Sequence, residues 1–240
     1  MAIDETLLEG MTAPDVMPVL RLYGFSPPAV SLGRFQRAHE DLNLHAMQRD
    51  GVVLVRRPTG GQAVLHANEL TYALILARSH LDPFTKRSAY QFVGSIVSAI
   101  LQECGVDCRI GRSRQGPQKC ADCFRTTGEY EVTSPVGRKL VGSAQMHTRH
   151  GCLQHGSIPL DNTHMRISDY LAFSKEYVDR STSLAEESGS RVCFTDAREM
   201  FASAAGRVMD IADSDLSDQE LQRAEHLVEK YTDESWNLMY

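Results

Sequence analysis

The sequence has no apolar run near the roughly 20 residues that a membrane-spanning helix needs. Its first residues, MAIDETLLEG, are acidic and helical in character, a pattern unlike that of a secretion signal. It also has no excess of positive charge: the net charge is −6, which argues against nucleic acid as a partner. We therefore expect a cytoplasmic protein that uses neither a membrane nor a nucleic acid.

Two common phosphate-binding motifs are missing from the one glycine-rich stretch, RRPTGGQAVLH at 56–66. No Gly-Lys-Ser/Thr follows the glycines, as in a P-loop, and no G-x-G-x-x-G is present, as in a dinucleotide-binding fold. Gly60 and Gly61 still allow a tight turn with an exposed backbone after the strand at 52–56. The stretch alone leaves two alternatives open, a hairpin or bulge without a ligand and one wall of a binding pocket.

The cysteines lack the spacing of a metal site or a disulfide framework. The chain has six of them, at Cys104, Cys108, Cys120, Cys123, Cys152 and Cys193. Disulfides are rare in the cytosol, and the two close pairs do not form two short zinc knuckles. We therefore predict no metal, and we interpret Cys152 and Cys193 as small buried apolar residues.

The apolar patterns predict an α+β domain. Helices are expected at 2–9 and 86–104, the second ending at Gly105, and strands at 19–23, 29–33, 52–56, 70–76 and 106–110. Three further strands, at 130–133, 138–148 and 152–160, predict an antiparallel meander. The remainder is expected to be helical, with a capping box at Ser217 and Glu220.

Residues 111–128 interrupt these patterns as a long segment without apolar periodicity, and such loops are often functional. Five basic residues from Arg109 to Arg125 accompany one acid, Asp122. The run is either a solvated surface or a docking surface for an acidic partner. Cys123 lies in this segment, where positive neighbours favour the nucleophilic thiolate.

A second candidate element is GRKLVGSAQ at 137–145. Lys139 follows a turn in a strand-like pattern, where a lysine is usually a solvated edge charge. The run of small residues after it, Gly142 to Ala144, disfavours a strand by itself. It indicates that another chain or a ligand lies against that surface.

Together, RRPTGGQAVLHANELTY, GRKLVGSAQ and LQHGSI, in this order and spacing, resemble the lipoate/biotin protein ligase and octanoyltransferase family. The stretches AIDETLL, RLYGFSPPAVSLGRFQ and AEHLVEKYTDESWN also match its pattern, so the resemblance covers nearly the whole chain. It implies a class II synthetase-like, biotin/lipoate ligase-type catalytic domain at 1–240, with a large mixed β-sheet, a smaller sheet and flanking helices. The C-terminal helices, about 162–240, belong to it. Family members usually carry a further strand before the helix that begins here at Ala2.

Within that family the chain is most similar to octanoyltransferases of the cysteine type. The ligases have a third glycine in the turn, where this chain has Gln62, and CFRTTGEYEV at 123–132 matches the transferases' catalytic loop. The match implies that Cys123 forms an octanoyl thioester and that Lys139 polarises the acyl carbonyl or deprotonates the attacking group, with a pKa lowered by burial near Arg57. Cys120 is then a bystander. The implied substrate-binding residues are Arg57, Thr59, Gly60, Gly61, Gln62, Ala63, His66, Gly142, Ser143, Ala144, Gln145, His155 and Gly156.

The resemblance also implies partners. Acyl carrier protein is the expected donor and a lipoyl domain or the glycine-cleavage H protein the expected acceptor, with the basic segment as a docking surface for an acidic carrier. No cofactor is expected. Three alternatives stay open: an ATP- and Mg-dependent lipoate ligase, an amidotransferase between carrier proteins, and a non-catalytic acyl-binding module.

Overall fold

The computed structural model describes residues 1–13, 15–112, 122, 124, 129–172 and 180–240; for Arg112 and Glu129 it describes the backbone alone. Eight helices are described: α1 Ala2–Gly10, α2 Ala38–Asp41, α3 Leu44–Arg49, α4 Lys86–Glu103, α5 Leu184–Ser188, α6 Phe194–Val208, α7 Asp218–Thr232 and α8 Glu234–Asn237. The strands within these ranges are β1 Val19–Tyr23, β2 Ala29–Leu32, β3 Val53–Arg56, β4 Val64–His66, β5 Glu69–Ala77, β6 Arg109–Arg112, β7 Glu129–Thr133, β8 Gly142–His147 and β9 Gly151–Pro159. Short 3₁₀ helices occupy Arg78–His80 and Asn162–Tyr170.

The larger sheet has four antiparallel strands in the order β1-β5-β9-β8. Successive strand residues point to opposite faces, so each face has its own partners. Leu70, Tyr72 and Leu74 lie in one apolar cluster with residues of α4 and α6. On the other face, Ala73 and Ile75 lie in a cluster with Leu7, Leu8 and Met11 from α1 and the residue after it.

The smaller sheet has three strands in the order β3-β2-β4, with β3 parallel and β4 antiparallel to β2. It packs against α3 and the 3₁₀ helix at Asn162–Tyr170 through an apolar cluster that includes Val30, Leu32, Met47 and Ile167. The predicted α+β class is confirmed. Among the described strands the parallel pair, β2 with β3, lies in the smaller sheet, so the smaller sheet is mixed and the larger one is antiparallel. Within the described ranges, no helix combines the length and the apolar character that membrane crossing requires.

The strongest local signals in the sequence are confirmed. The helix predicted at 86–104 is α4, whose N-cap Thr85 accepts a hydrogen bond from the Ser88 amide, and Gly105 follows it with φ +79°. A left-handed glycine after the last turn is a common helix stop. The capping box of Ser217 and Glu220 begins α7.

The predicted three-stranded meander is wrong in one pairing. β7 pairs with β6 in a separate two-stranded sheet, whereas β8 and β9 form the predicted hairpin. The turn at 134–137 is present, but it closes only an isolated bridge between Thr133 and Lys139. The chain then crosses to the larger sheet at Gly142. Local alternation cannot reveal which neighbour a strand takes, because that choice depends on contacts distant in sequence.

Smaller differences have local causes. The strand predicted at 106–110 begins at Arg109, because Arg109 pairs with Thr133, the last residue of β7. Cys152 is fully buried as predicted, but Cys193 is exposed and its sulfur caps α6 by accepting from the Asp196 amide. Of the basic segment, Arg109 lies in β6, while Arg114, Lys119 and Arg125 lie outside the described residues.

Helices from the two ends of the chain pack on each other. Glu5 of α1 accepts from Lys230 Nζ and Tyr231 Oη of α7 at 2.6–2.8 Å, and Arg223 pairs with Glu9 at 2.7 Å. The sequence predicts a buried apolar face on α7. Ala224, Leu227 and Tyr231 are buried there as predicted, whereas Leu221 and Val228 are exposed.

The guanidinium of Arg56, at the end of β3, is fully buried and binds backbone carbonyls rather than a carboxylate. The carbonyl groups that accept its hydrogen bonds, all at 2.7–3.0 Å, are those of Gly33, Arg34, Gln36, Trp236, Asn237 and Met239. Six carbonyl dipoles offset the charge that burial leaves without water. Arg56 thereby ties the C-terminal residues to the loop after β2.

Arg56→Met is expected to lower the free energy of unfolding by about 3–5 kcal/mol, because the buried carbonyl groups would lose their hydrogen-bond donor. Denaturation by urea at neutral pH measures this. Arg37→Met is the matched control, since the side chain of Arg37 is exposed and its ionic partner among the described residues is the exposed Glu40, so its cost should stay below about 1 kcal/mol. Equal costs for the two variants would contradict the structural role of Arg56.

Candidate active site

The paired-glycine turn wraps around the side chain of Arg57. The buried guanidinium donates to the carbonyls of Ser31, Gly60 and Gln62 at 2.7–2.9 Å. Gly61 has φ +88°, and a Cβ there would lie 2.9 Å from Arg57 Nη2. Glycine is therefore required at this position, both for its conformation and for space. The exposed backbone predicted for this turn is in large part bound by the chain's own arginine.

A narrow cavity, partly open to solvent, lies between the two sheets where β4 faces β5, β8 and β9. The residues that line it are Met1, Tyr23, Phe25, Ser31, Arg57, Val64, His66, Thr71, Gly142, Ser143, Ala144, His155, Gly156 and Ser157. Its wall thus joins residues that are far apart in the chain, and most of it is made of small or apolar groups. Such a lining suits an apolar ligand with few polar contacts.

The structure brings together about half of the predicted substrate-binding residues. Those on the cavity wall are Arg57, His66, Gly142, Ser143, Ala144, His155 and Gly156. Those away from this wall are Thr59, Gly60, Gly61, Gln62, Ala63 and Gln145. For these six a substrate contact stays a prediction.

The six have other contacts in the described structure. Thr59 Oγ1 lies 2.7 Å from His155 Nε2, so it supports the wall from behind. Gln145 lies on the opposite side of β8 from Ala144 and contacts Gln154 and His147. The buried Oε1 of Gln62 has no hydrogen-bond partner among the described residues.

His66 and His155 contribute polar groups to the wall. His66 Nε2 lies 2.8 Å from Ser31 Oγ, and its Nδ1 lies 3.3 Å from a carboxylate oxygen of Glu69. Glu69 is buried and accepts hydrogen bonds from Thr71 and Ser157 at 2.7–2.8 Å. Glu69 was not among the predicted site residues. Its signal in the sequence was weak, because an acid at the start of an apolar strand usually faces solvent.

Burial lowers the pKa of His155 to about 3, so its imidazole is neutral around pH 7. Because the folded pKa lies below the ordinary 6.5, this group stabilises the fold fully above pH 6.5, and the contribution is lost as the pH falls towards 3. We expect the free energy of unfolding to drop by about 2 kcal/mol between pH 7 and pH 5 through this residue. Urea denaturation at both pH values measures the drop, and His155→Gln should remove most of it. An unchanged drop in that variant would assign the acid sensitivity to other groups.

Lys139 is buried, with 1% of its surface exposed, and is fixed at both backbone and side chain. Its amide donates to the Arg180 carbonyl at 2.7 Å, and its carbonyl accepts from the Thr182 amide at 2.9 Å. Its Nζ donates to Glu131 Oε1 at 2.6 Å. The sequence predicts that burial near Arg57 lowers the pKa of this amine, which stays a prediction; Glu131 is an ionic partner that the sequence analysis does not name. The lysine is thus a positioned cation rather than a solvated edge charge.

A signal for Glu131 was present in the sequence. Thr133 and Lys139 face each other across the turn at 134–137, and Glu131 lies two residues before Thr133 on the same side of the strand. Diagonal neighbours of this kind approach closely enough for long side chains to meet. Opposite charges around a four-residue turn therefore predict the pair.

Cys123 lies outside the described residues, as does Cys120, but its neighbours Asp122 and Phe124 are described and both are buried. Asp122 forms a parallel bridge with Ala63 of the glycine-rich stretch, and its Oδ1 accepts from the Phe124 amide at 2.9 Å. At Asp122 the backbone thus pairs with the glycine-rich stretch.

The ring of Phe124 lies against the cavity wall. It packs on Val64, and a Cβ added to Gly142 would lie 3.0 Å from it. The small residues at 142–144 predict that another group lies close to this strand, and in the structure that group is the ring of Phe124. Lys139 Nζ lies 5.8 Å from the ring centroid, within cation–π range. The ring of His164 packs on Phe124 at 5.0 Å, and its Nε2 lies 2.8 Å from Ser181 Oγ.

The ring of Phe124 thus borders the apolar cavity at Gly142, and the ammonium of Lys139 lies over that ring. A fixed ammonium can stabilise negative charge that develops on a carbonyl oxygen. In the part of the chain that the structure describes, no group of three or more His, Cys, Asp or Glu side chains is arranged to hold a metal ion.

Comparison with known proteins agrees with this geometry. Residues 1–205 match the model of the lipoyl protein ligase A/B catalytic domain family. Octanoyltransferase LipM of Kyrpidia tusciae is 34% identical over 257 residues, which cover 99% of this chain and 93% of that protein. Octanoyltransferase LipM of Bacillus subtilis is 32% identical over 257 residues, with 99% and 92% covered.

Solved structures show the same fold. A lipoate-protein ligase A bound with ATP superposes with a TM-score of 0.82 at 22% identity, covering 99% of this chain and 92% of that one. A bipartite lipoate protein ligase from Thermoplasma acidophilum, studied with its E2 lipoyl domain, superposes with a TM-score of 0.77 at 24% identity, covering 99% and 89%. At these identities the likeness concerns the fold.

Proposed function

The chain belongs to the lipoyl protein ligase A/B catalytic domain family and is an octanoyltransferase, and we propose that it transfers the octanoyl group through a thioester on Cys123. The observation that carries this mechanism is the position of Phe124, the residue after Cys123. Its ring lies between the cavity wall at Gly142 and the ammonium of Lys139. Consecutive Cα atoms are about 3.8 Å apart, so contacts of Asp122 and Phe124 with the site support a nucleophile at position 123.

In the first step the Cys123 thiolate attacks the carbonyl carbon of the donor thioester. A new C–S bond forms, the donor's C–S bond breaks, and the departing thiolate takes up the proton that Cys123 released. In the second step the amine of an acceptor lysine attacks octanoyl-Cys123. An amide bond forms, the Cys123 C–S bond breaks, and the amine proton returns to sulfur. Exchange between thioesters is nearly even in energy, and amide formation drives the second step.

Lys139 acts on the carbonyl oxygen in both steps. Each attack places negative charge on that oxygen, and a fixed ammonium stabilises this charge more than it stabilises the ground state. Glu131 holds the ammonium by the 2.6 Å contact, so little reorganisation is needed when the charge develops. The cavity between the sheets is then the site of the acyl chain.

The acceptor is a lipoyl-carrier protein, and we propose a lipoyl domain or the glycine-cleavage H protein. We propose acyl carrier protein as the donor, with the basic segment from Arg109 to Arg125 as its docking surface. Carrier proteins are typically acidic, so their negative surface is complementary to the positive charge of this segment. Because a thioester donor is already activated, the reaction needs neither ATP nor another cofactor.

The deciding experiment mixes the protein with octanoyl-acyl carrier protein and measures its intact mass, then adds H protein without nucleotide. One octanoyl adduct that disappears as octanoyl-H protein accumulates supports the proposal. Modification of H protein by free octanoate or lipoate that requires ATP, with no adduct, would show a ligase instead. Transfer only from octanoyl-H protein to another lipoyl carrier would show an amidotransferase.

A further inference from the structure

Four cavity residues form one row across the larger sheet. Tyr23 of β1 pairs with Thr71 of β5, Thr71 pairs with Ser157 of β9, and Ser157 pairs with Gly142 of β8. All four line the cavity. Neighbouring strands are about 4.8 Å apart, so the row runs about 14 Å from Gly142 to Tyr23. Along this row the cavity therefore extends across the strands, from β8 to β1.

The two ends of the row differ. Gly142 contacts Phe124, whose ring also faces Lys139, so this is the reactive end. The next two positions carry the small side chains of Ser157 and Thr71. Tyr23, at the far end, is the first bulky residue of the row.

The far end is fixed by contacts on every side. Tyr23 Oη donates to Asp4 Oδ2 at 2.7 Å, and the fully buried Asp4 also pairs with Arg21. The ring of Phe25 lies 5.8 Å from that of Tyr23 and stacks on His66 at 4.1 Å. A wall held by the buried carboxylate of Asp4, its ion pair with Arg21 and two ring contacts does not yield easily to a longer ligand.

We propose that Tyr23 and Phe25 form an end wall that measures the acyl chain, admitting eight carbons and excluding substantially longer chains. An extended chain advances about 1.2 Å per bond, as extended backbone does over its three bonds per residue. The seven bonds of an octanoyl chain then span about 8–9 Å, and the eleven of a dodecanoyl chain about 13 Å. The longer chain reaches the position of Tyr23 itself. This inference rests on the proposed function, since it takes the cavity as the acyl site.

The test compares octanoyl-, decanoyl- and dodecanoyl-acyl carrier protein as donors in the acylation of Cys123, followed by intact mass. In Tyr23→Ala and in Phe25→Ala, the ratio of the dodecanoyl rate to the octanoyl rate should rise at least about tenfold, since each methylene newly buried contributes about a fourfold gain. Tyr23→Phe keeps the ring and loses the contact with Asp4, so the ratio should rise far less than in Tyr23→Ala. Phe35→Ala removes an exposed aromatic residue outside the cavity and is the matched control.

A ratio unchanged in both alanine variants, while octanoyl transfer persists, would overturn the end wall and leave the proposed function intact. If the wild-type protein accepts none of the donors, the proposed function fails instead. The wall is then tested by binding alone: free octanoate should raise the Tm of the wild-type protein and dodecanoate should not, whereas both should raise the Tm of Phe25→Ala. Equal shifts by both acids in the wild-type protein would also overturn the wall.

Discussion

Cys123→Ala is expected to abolish octanoyl transfer, with the single-turnover rate falling at least about a thousandfold. Without the thiol no acyl-enzyme forms, and the acceptor amine must attack the donor thioester directly. The donor and the acceptor protein would then have to bind at the same cavity at once. An acyl-enzyme avoids this, because the two proteins bind one after the other. Intact mass should show no octanoyl adduct, and H protein should remain unmodified.

The matched control for this prediction is Cys120→Ala, a change of the same chemistry three residues earlier in the segment. It should leave both the adduct and the transfer rate within about twofold of wild type, since Cys120 has no assigned step. If Cys120→Ala lost the adduct while Cys123→Ala kept it, the assignment of the nucleophile would be wrong. An adduct retained in both variants would place the acyl group on a residue other than these two cysteines.

Lys139→Met is expected to lower the rate of acylation by about 100- to 1000-fold, the usual effect of removing a group that stabilises a developing oxyanion. Methionine preserves much of the length and apolar volume of lysine, so the packing beneath Phe124 is retained. The donor's KM should change little, because the ammonium acts on the transition state more than on the bound substrate. Single-turnover rates at saturating donor measure the effect.

Lys139→Met also removes the ionic partner of the Glu131 carboxylate, and only 11% of the Glu131 side chain is exposed. A loss of activity from misfolding is separated from a catalytic loss by the pair Glu131→Gln and Lys139→Met/Glu131→Gln. Glu131→Gln keeps a hydrogen bond to the ammonium and is expected to cost about tenfold in rate. The double variant removes both charges and should regain the wild-type Tm while remaining as slow as Lys139→Met. Recovery of the rate in the double variant would refute a direct role for the lysine.

Local signals in the sequence were sufficient for most of the elements, whereas the residues of the candidate site came mainly from the family resemblance. Periodicity and caps predicted α4 and the start of α7, because those signals act within a few residues. The small residues after Lys139 predicted a close approach, and the ring of Phe124 is the group that approaches. The cavity residues that the motifs identified, such as His66 and Gly156, also lie together.

What the sequence did not predict depends on pairing between distant segments. The partner of β7 is β6, and no alternation pattern distinguishes this from a meander with β8. The end wall depends on the register of β1 with β5, which brings Tyr23 beside Thr71. A shift of one residue would turn every side chain of β1 to the other face. Such registers are set by burial of the whole sheet and have no local signature.

The carbonyl cluster around Arg56 has a consequence for how the chain is made. Its six acceptors come from residues 33–36 and 236–239, so the cation cannot be enclosed until residue 239 has left the ribosome. The ion pairs between α1 and α7 add the same requirement. At the usual pace of 5–20 residues per second, roughly 180 residues separate the synthesis of Arg56 from that of its last ligands, an interval of about 10–35 s. During that interval the guanidinium of Arg56 lacks the carbonyl groups of residues 236–239, so it must keep part of its hydration until they are made.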